Sequence, residues 1–308
     1  MSEAAVSAEQ ERAHAGASRQ ARRGPFRATR HAAWLFSLPA IIVYTLFGWY
    51  PLLLAFVVAF QNFKIRGQVQ WVGFANFIQL FHDPMVLLTI VNSLHYTFLV
   101  IVLTFWVPIL VSILVLEMTP RTQLWMTVLW FIPVSGTASI VIWKFFYNTY
   151  YGLFDQILTL LHLPIVRWLD EPRTAMLSLV LPGLITYGPG LIYLATLQAV
   201  PQELYEAAEL DGAGFFRKVL SITVPTLQPI ISVLLVLTVI GSMQMFNQAY
   251  VMTGGGPMNS TYPIVMYIVE NAFKYLDFSY ADALALVLFV ILMLLVILQF
   301  RLQRSPEN

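Results

Sequence analysis

The chain contains no cysteine, which excludes a disulfide framework, a thiolate metal site and a cysteine nucleophile. It is also poor in charge. Asp, Glu, Lys and Arg make up 11% of its 308 residues, where a soluble domain carries about 25%. A net charge of +1 leaves no basic footprint for nucleic acid. No His-Glu-x-x-His and no Gly-x-Ser-x-Gly occurs, and none of the four lysines (Lys64, Lys144, Lys218, Lys274) follows a glycine. A Walker-type phosphate loop is therefore missing, and ATP hydrolysis by that route is excluded. No catalytic residue, metal site or bound cofactor is expected. What the chain does hold is apolar: 58% hydrophobic residues, 22 Phe, 14 Tyr and 8 Trp, with a mean hydropathy of +0.72. A disordered chain would be poor in aromatics. The class is integral membrane protein.

A helix crosses the hydrocarbon core with about 20 mostly apolar residues. Six stretches meet that length: Ala33–Phe60, Leu88–Leu116, Leu124–Tyr147, Met176–Val200, Leu227–Tyr250 and Ala281–Phe300. The first holds Pro39, Gly48 and Pro51, and a kink or break is expected near Gly48–Pro51. Their apolar cores contain no Asp, Glu, Lys or Arg, so the ionisable groups that mark proton or ion relays are missing. His95 is the one titratable side chain there, and it reads as a hydrogen bond between helices rather than a relay.

Residues 1–31 are polar and carry Arg12, Arg19, Arg22, Arg23, Arg27 and Arg30. No short apolar stretch with a small-residue cleavage site follows, so a removed signal peptide is not expected. By the positive-inside rule this cluster keeps the N-terminus in the cytoplasm. Alternation then puts Arg121, Arg217, Lys218, Arg301 and Arg304 inside too, eleven of the 17 basic residues in all. The organisation expected is a flexible tail over residues 1–31, a six-span domain over 32–302 and a short tail over 303–308, both ends cytoplasmic. On the outer side, Trp71–Ile78 reads as a short amphipathic segment at the interface, and Thr253–Ser260 as a Gly/Pro-punctuated turn.

The cytoplasmic link over residues 200–225 is the most informative stretch. Pro201 suits the first turn of a helix, and Glu203 and Glu206 suit its positive end. Leu204, Tyr205, Ala207, Ala208 and Leu210 give it an apolar side, and Asp211-Gly212 closes it. A second short helix over Gly214–Ile222 is expected to stop before Pro225. The product is a helical hairpin with small residues at its turn, a shape suited to a groove on another protein.

Glu206-Ala207-Ala208, Gly212 and Ile222-Thr223-Val224-Pro225 resemble the E-A-A…G…I-x-L-P loop of permease subunits of binding-protein-dependent ABC importers, with Val224 where Leu is usual. The resemblance runs over residues 33–302. It extends to Phe74-x-Asn76-Phe77, Asn92-Ser93, Ile142-Trp143-Lys144 with Asn148, Tyr250–Thr261 and Glu270–Phe273, which look like the maltose- and glycerol-3-phosphate-type carbohydrate branch, first-permease side. It implies an all-α membrane protein with the type I importer permease fold, in a bacterial or archaeal plasma membrane. It implies a second permease, two ABC ATPase subunits that bind ATP and Mg, an extracytoplasmic solute-binding protein and a sugar-like solute. Glu206, Ala207, Ala208, Asp211 and Gly212 would contact the ATPase. Thr238, Ser242 and Met245, spaced i, i+4, i+7 on span five, match positions that hold sugar contacts in the maltose-type permease, and Thr186 and Tyr187 beside Pro189 on span four join them as solute-path candidates. A permease for another solute class and an ATP-independent carrier stay open as alternatives. The charge-free spans and the hairpin speak against the carrier.

Overall fold

The computed structural model describes residues 29–63, 67–131, 136–185 and 188–303. Most of the Arg-rich tail, Thr186, Tyr187 and residues 304–308 lie outside them. The chain divides into two compact units, residues 1–57 and 58–308.

In the first unit, α1 (Thr29–Tyr44) passes through a π-turn at Thr45–Trp49 into α2 (Tyr50–Val58). The expected break near Gly48–Pro51 is a local widening instead. Pro51 has no N–H to offer the Phe47 carbonyl, and its ring crowds that oxygen. One wide turn, closed by Tyr50 N–H on the Thr45 carbonyl, keeps the helix continuous from Trp34 to Val58.

The second unit opens with a two-residue antiparallel ladder, β1 (Gln61–Asn62) and β2 (Gln70–Trp71), in which Gln61 faces Trp71. α3 (Ala75–His82) follows. Asn76 Nδ2 donates to the carbonyls of Ala59 and Gln61 at 2.8 and 2.9 Å, and Phe60 stacks on Trp71. The segment read as interfacial is thus tied to the fold through Asn76, while Trp71, Phe74 and Ile78 stay exposed. Next, α4 (Pro84–Leu99), a π-turn at Val100–Thr104 and α5 (Val107–Leu116) make one 33-residue helix. Pro108 again stands four residues after a carbonyl of the π-turn, that of Thr104.

The third and fourth apolar stretches come next. α6 (Pro120–Phe131) and α7 (Gly136–Phe146) flank residues outside the description. A short outer helix, α8 (Leu153–Leu160), precedes α9 (Pro172–Val180), which tightens into a 3₁₀ turn at Leu181–Leu184 before α10 (Gly190–Gln198) begins. Pro182, Gly183, Gly188 and Pro189 supply the breaks. A β-carbon on Gly183 would come within 2.9 Å of the Thr104 side chain, so a larger residue there would have to displace that side chain from the π-turn. Across the neighbouring pair, Ser112 Oγ of α5 lies 2.9 Å from the Gly190 carbonyl.

The hairpin follows as α11 (Gln202–Leu210) and α12 (Phe215–Lys218). Here the structure corrects an expectation. The second hairpin helix does not stop before Pro225; it passes through a π-turn at Val219–Thr223 into α13 (Val224–Met243), 29 residues without interruption. The carbonyl four residues before Pro225, that of Ser221, lies in the widened turn, so the proline is absorbed rather than obeyed as a stop. α14 (Asn247–Met252), α15 (Ile264–Val269) with a π-turn at Glu270–Lys274, and α16 (Phe278–Gln303) complete the chain.

Among the described residues, four helices are long and apolar enough to cross a membrane: Trp34–Val58, Pro84–Leu116, Phe215–Met243 and Phe278–Gln303. Buried side chains lock those of the second unit together. Phe105, Ile109, Tyr193, Leu197 and Leu227 join α5, α10 and α13, and Met243, Ile264, Leu288 and Leu292 join α13, α15 and α16. His95 is exposed rather than bridging helices.

Candidate functional site

The hairpin over 202–223 is built from its turn. Gly212 has φ +76°, and a β-carbon there would meet nothing within 4 Å. Glycine is therefore needed for backbone conformation and not for space. Ala213 N–H donates to the Ala208 carbonyl at 2.8 Å and Gly212 N–H to the Glu209 carbonyl at 2.9 Å, the paired bonds of a Schellman closure. Pro201 stands just before the helix, at its N-cap with ψ 128°, one residue earlier than its fixed φ suggested. Two bonds then tie the arms: Lys218 Nζ to Glu209 Oε1 at 2.6 Å and Tyr205 Oη to Thr223 Oγ1 at 3.1 Å. Sequence reading missed both. Their signal was present in opposite charges on either side of the Gly212 turn, but which residues face across it depends on the turn angle.

Glu206, Ala207, Asp211 and Gly212 are exposed and Ala208 is half-buried, so the family-motif residues form one accessible tip. The expected apolar side does not face inward. Leu204 and Leu210 are exposed, as are Phe216 and Leu220 of the second arm, leaving an apolar rim around the acidic tip. Below it, a cavity of about 700 Å³ separates the hairpin base (Gln202, Tyr205, Glu209, Lys218) from the α5–α6 corner at Glu117–Gln123.

The solute-path candidates on α13 separate from one another. Thr238 and Ser242 share the helix, and each hydroxyl donates to its own backbone, to the Leu234 and Thr238 carbonyls at 2.8 and 2.7 Å. α13 ends at Met243, so the i, i+7 register does not carry to Met245. That side chain is buried among Tyr96, Tyr147 and Met176, and Ser242 is buried as well. Gln244 and Asn247, on either side of the break at Phe246 (φ −136°, ψ −57°), are the exposed polar groups here.

At the opposite end, the remaining motif residues act as ties. Asn92 Nδ2 donates to the Asn259 and Tyr262 carbonyls at 2.7 and 3.0 Å, and Ser93 Oγ accepts from Ile264 N–H at 3.1 Å. Thr253 and Thr261 hydroxyls meet at 2.6 Å across the Gly-Gly-Gly-Pro turn. Lys144 Nζ donates to the Val251 carbonyl at 2.7 Å, and Tyr262 OH donates to Glu270. Asp83 caps α4 through Met85 N–H at 2.9 Å and accepts from Tyr267 and Tyr280. Burial works to raise the Asp83 pKa, but the three hydrogen bonds outweigh it and hold the carboxyl below its ordinary value. Burial, reinforced by donation to Glu270, pushes the Tyr262 phenol up. Among the described residues no three His, Asp or Glu side chains converge on a metal position.

A helical membrane unit with an exposed E-A-A hairpin whose second arm runs on into a membrane-length helix has the type I ABC importer permease fold. Two chains of a bacterial ABC transporter that imports the acidic polysaccharide alginate share it. The first superposes with a TM-score of 0.80 at 21% identity, covering 92% of this chain and 99% of its own. The second, with a TM-score of 0.79, is from the same transporter in complex with a periplasmic protein bound to an alginate pentasaccharide. Residues 97–306 match the family described as the binding-protein-dependent transport system inner membrane component, and the chain belongs to that family. Its relatives include the sulfoquinovosyl glycerol transport system permease protein SmoG of Agrobacterium fabrum, 31% identical over 90% of this chain and 92% of that one. The arabinooligosaccharides transport system permease protein AraP of Bacillus subtilis is 29% identical over 91% of each chain. These relatives are transporter permease subunits and not enzymes. The chain is a multi-pass inner-membrane permease of an ABC importer.

Proposed function

We propose that the protein forms half of the translocation path for a sugar or sugar-like solute of the oligosaccharide, disaccharide or glycerol-phosphate class. An extracytoplasmic binding protein delivers the solute, a second permease completes the path, and two ATPase subunits drive it with ATP and Mg. In this reading the chain crosses the membrane six times with both ends cytoplasmic. The carbohydrate naming of its relatives supports the solute class. One observation carries the coupling role: the hairpin is exposed at its tip, locked by its own turn, and continuous through Phe215–Met243 with a membrane-length helix. Glu206, Ala207, Ala208, Asp211 and Gly212 lie on the first arm and its closing turn, and the Lys218–Glu209 and Tyr205–Thr223 bonds would pass force from that arm to the helix that continues to Met243. The exposed rim of Leu210 and Phe216 suits burial in the ATPase groove. For the solute, Thr238 and Ser242 with Thr186 and Tyr187 remain the proposed contacts. Gln244 and Asn247 flank a second helix break, where freed backbone groups suit solute binding. Met245 lines that region from the core side.

The experiment is gentle detergent extraction from native membranes and identification of what copurifies. An ABC ATPase and a second permease are expected, and the ligand of the associated binding protein names the solute. Recovery of a folded chain with no ATPase at any detergent strength would overturn the reading.

A further inference from the structure

At the end of the molecule opposite the hairpin, the link between α7 and α9 folds α8 over an aromatic cluster of Trp143, Tyr147, Phe154 and Trp168. Asp155, early in α8, is only 4% exposed. Its Oδ1 accepts from Trp168 Nε1 at 3.0 Å and from Val166 N–H at 3.3 Å. Its Oδ2 is buried and has no partner. Asp155 borders a cavity of about 400 Å³ whose other polar side chains are Thr149, Tyr150, Gln156 and Thr159. No Lys, Arg or His borders it. A buried carboxylate with half its acceptor capacity unused is costly unless a donor or cation completes it.

Three occupants compete. A calcium ion asks for six to eight oxygen ligands, carboxylates among them, and the one carboxylate here has its Oδ1 already taken by two N–H donors. The transported solute is a poor fit, because no residue of α4, α13 or the Gln244–Asn247 break lines the cavity. An ammonium or guanidinium head on a long side chain fits best, since it brings one positive charge and several donors to one orphaned oxygen. We propose that Asp155 is the floor of a socket that receives one Lys or Arg side chain of the extracytoplasmic binding protein as it docks. This rests on the functional reading above, which places the α8 end outside. The socket would help set which binding protein the transporter accepts, because an uncharged side chain at that point leaves the carboxylate unpaired.

The test uses the complete transporter in lipid nanodiscs and its own purified binding protein, with affinity measured at low and high salt. Asp155→Asn removes the charge and keeps an acceptor for Trp168. Gln156→Lys leaves Asp155 and the aromatic cluster intact and fills the socket from its exposed lip. Each variant is expected to weaken docking about tenfold or more and to flatten its salt dependence. Should Asp155→Asn fail to assemble, Gln156→Lys decides alone. Unchanged affinity and salt slope in the variants would overturn the proposal while leaving the importer reading intact. Docking that requires added sodium or calcium would overturn it in favour of an inorganic ion. Absence of docking by the unaltered transporter would overturn the importer reading, and this proposal with it.

Discussion

Asp83 holds three elements with one side chain, capping α4 and accepting from Tyr267 of α15 and Tyr280 of α16. Its carboxyl is held below the ordinary pKa. The stability it contributes is therefore present above the unfolded value near pH 4 and is lost as pH falls through the lower folded value. In detergent, the melting temperature is expected to drop as pH falls below about 4, and Asp83→Asn should flatten that drop. Because the carboxylate is only half-buried, the variant is expected to cost about 1 kcal/mol at neutral pH rather than the full value of a buried network. An unchanged pH profile in the variant would show that other carboxylates govern acid stability. The same reasoning separates the polar residues of α13. Hydroxyls of Thr238 and Ser242 are already satisfied within their helix, which a sequence stripe cannot reveal.

The π-turns belong to the element scale. In Trp34–Val58, Pro84–Leu116 and Phe215–Met243, the carbonyl four residues before Pro51, Pro108 or Pro225 falls within one wide turn, so membrane helices keep their length where soluble ones would end. For the hairpin this continuity has a consequence. Gly212→Val forces a β-branched side chain into φ +76°, at a cost of about 1–2 kcal/mol to the turn. Glu206→Lys reverses the charge of the tip without touching the Schellman bonds. Both are expected to leave the protein inserted and to reduce solute uptake several-fold per ATP hydrolysed in proteoliposomes. Unaltered uptake would remove the hairpin from coupling.

For the whole molecule, the two ends of the second unit differ in construction. One carries the exposed hairpin with Lys218 and Arg217. The other is cross-tied, by Asn92 and Ser93 to Asn259, Tyr262 and Ile264, by Lys144 to Val251 and by Asp83 to Tyr267. In the proposed orientation, that contrast suits a cross-tied outer rim for a binding protein and a lever on the cytoplasmic side. A protease-cleavable tag after Asn308 is expected to be protected in sealed right-side-out vesicles and cleaved in inverted ones. Cleavage in right-side-out vesicles would overturn the orientation.

Membrane class, the cytoplasmic-loop hairpin of the family motif and its glycine turn were legible in the sequence as a fold, because long apolar runs, an uncharged core and a residue required at positive φ act locally. Family membership was legible for the same reason, in the short string from Glu206 to Pro225. Tertiary structure decided what depends on who faces whom. It ran the second hairpin helix through Pro225, ended α13 before Met245, turned Leu204 and Leu210 outward, and set Lys218 against Glu209. It also left Asp155 with an oxygen unpaired beside a cavity, a fact of packing among Phe154, Trp168 and Val166 that no periodicity in the chain encodes.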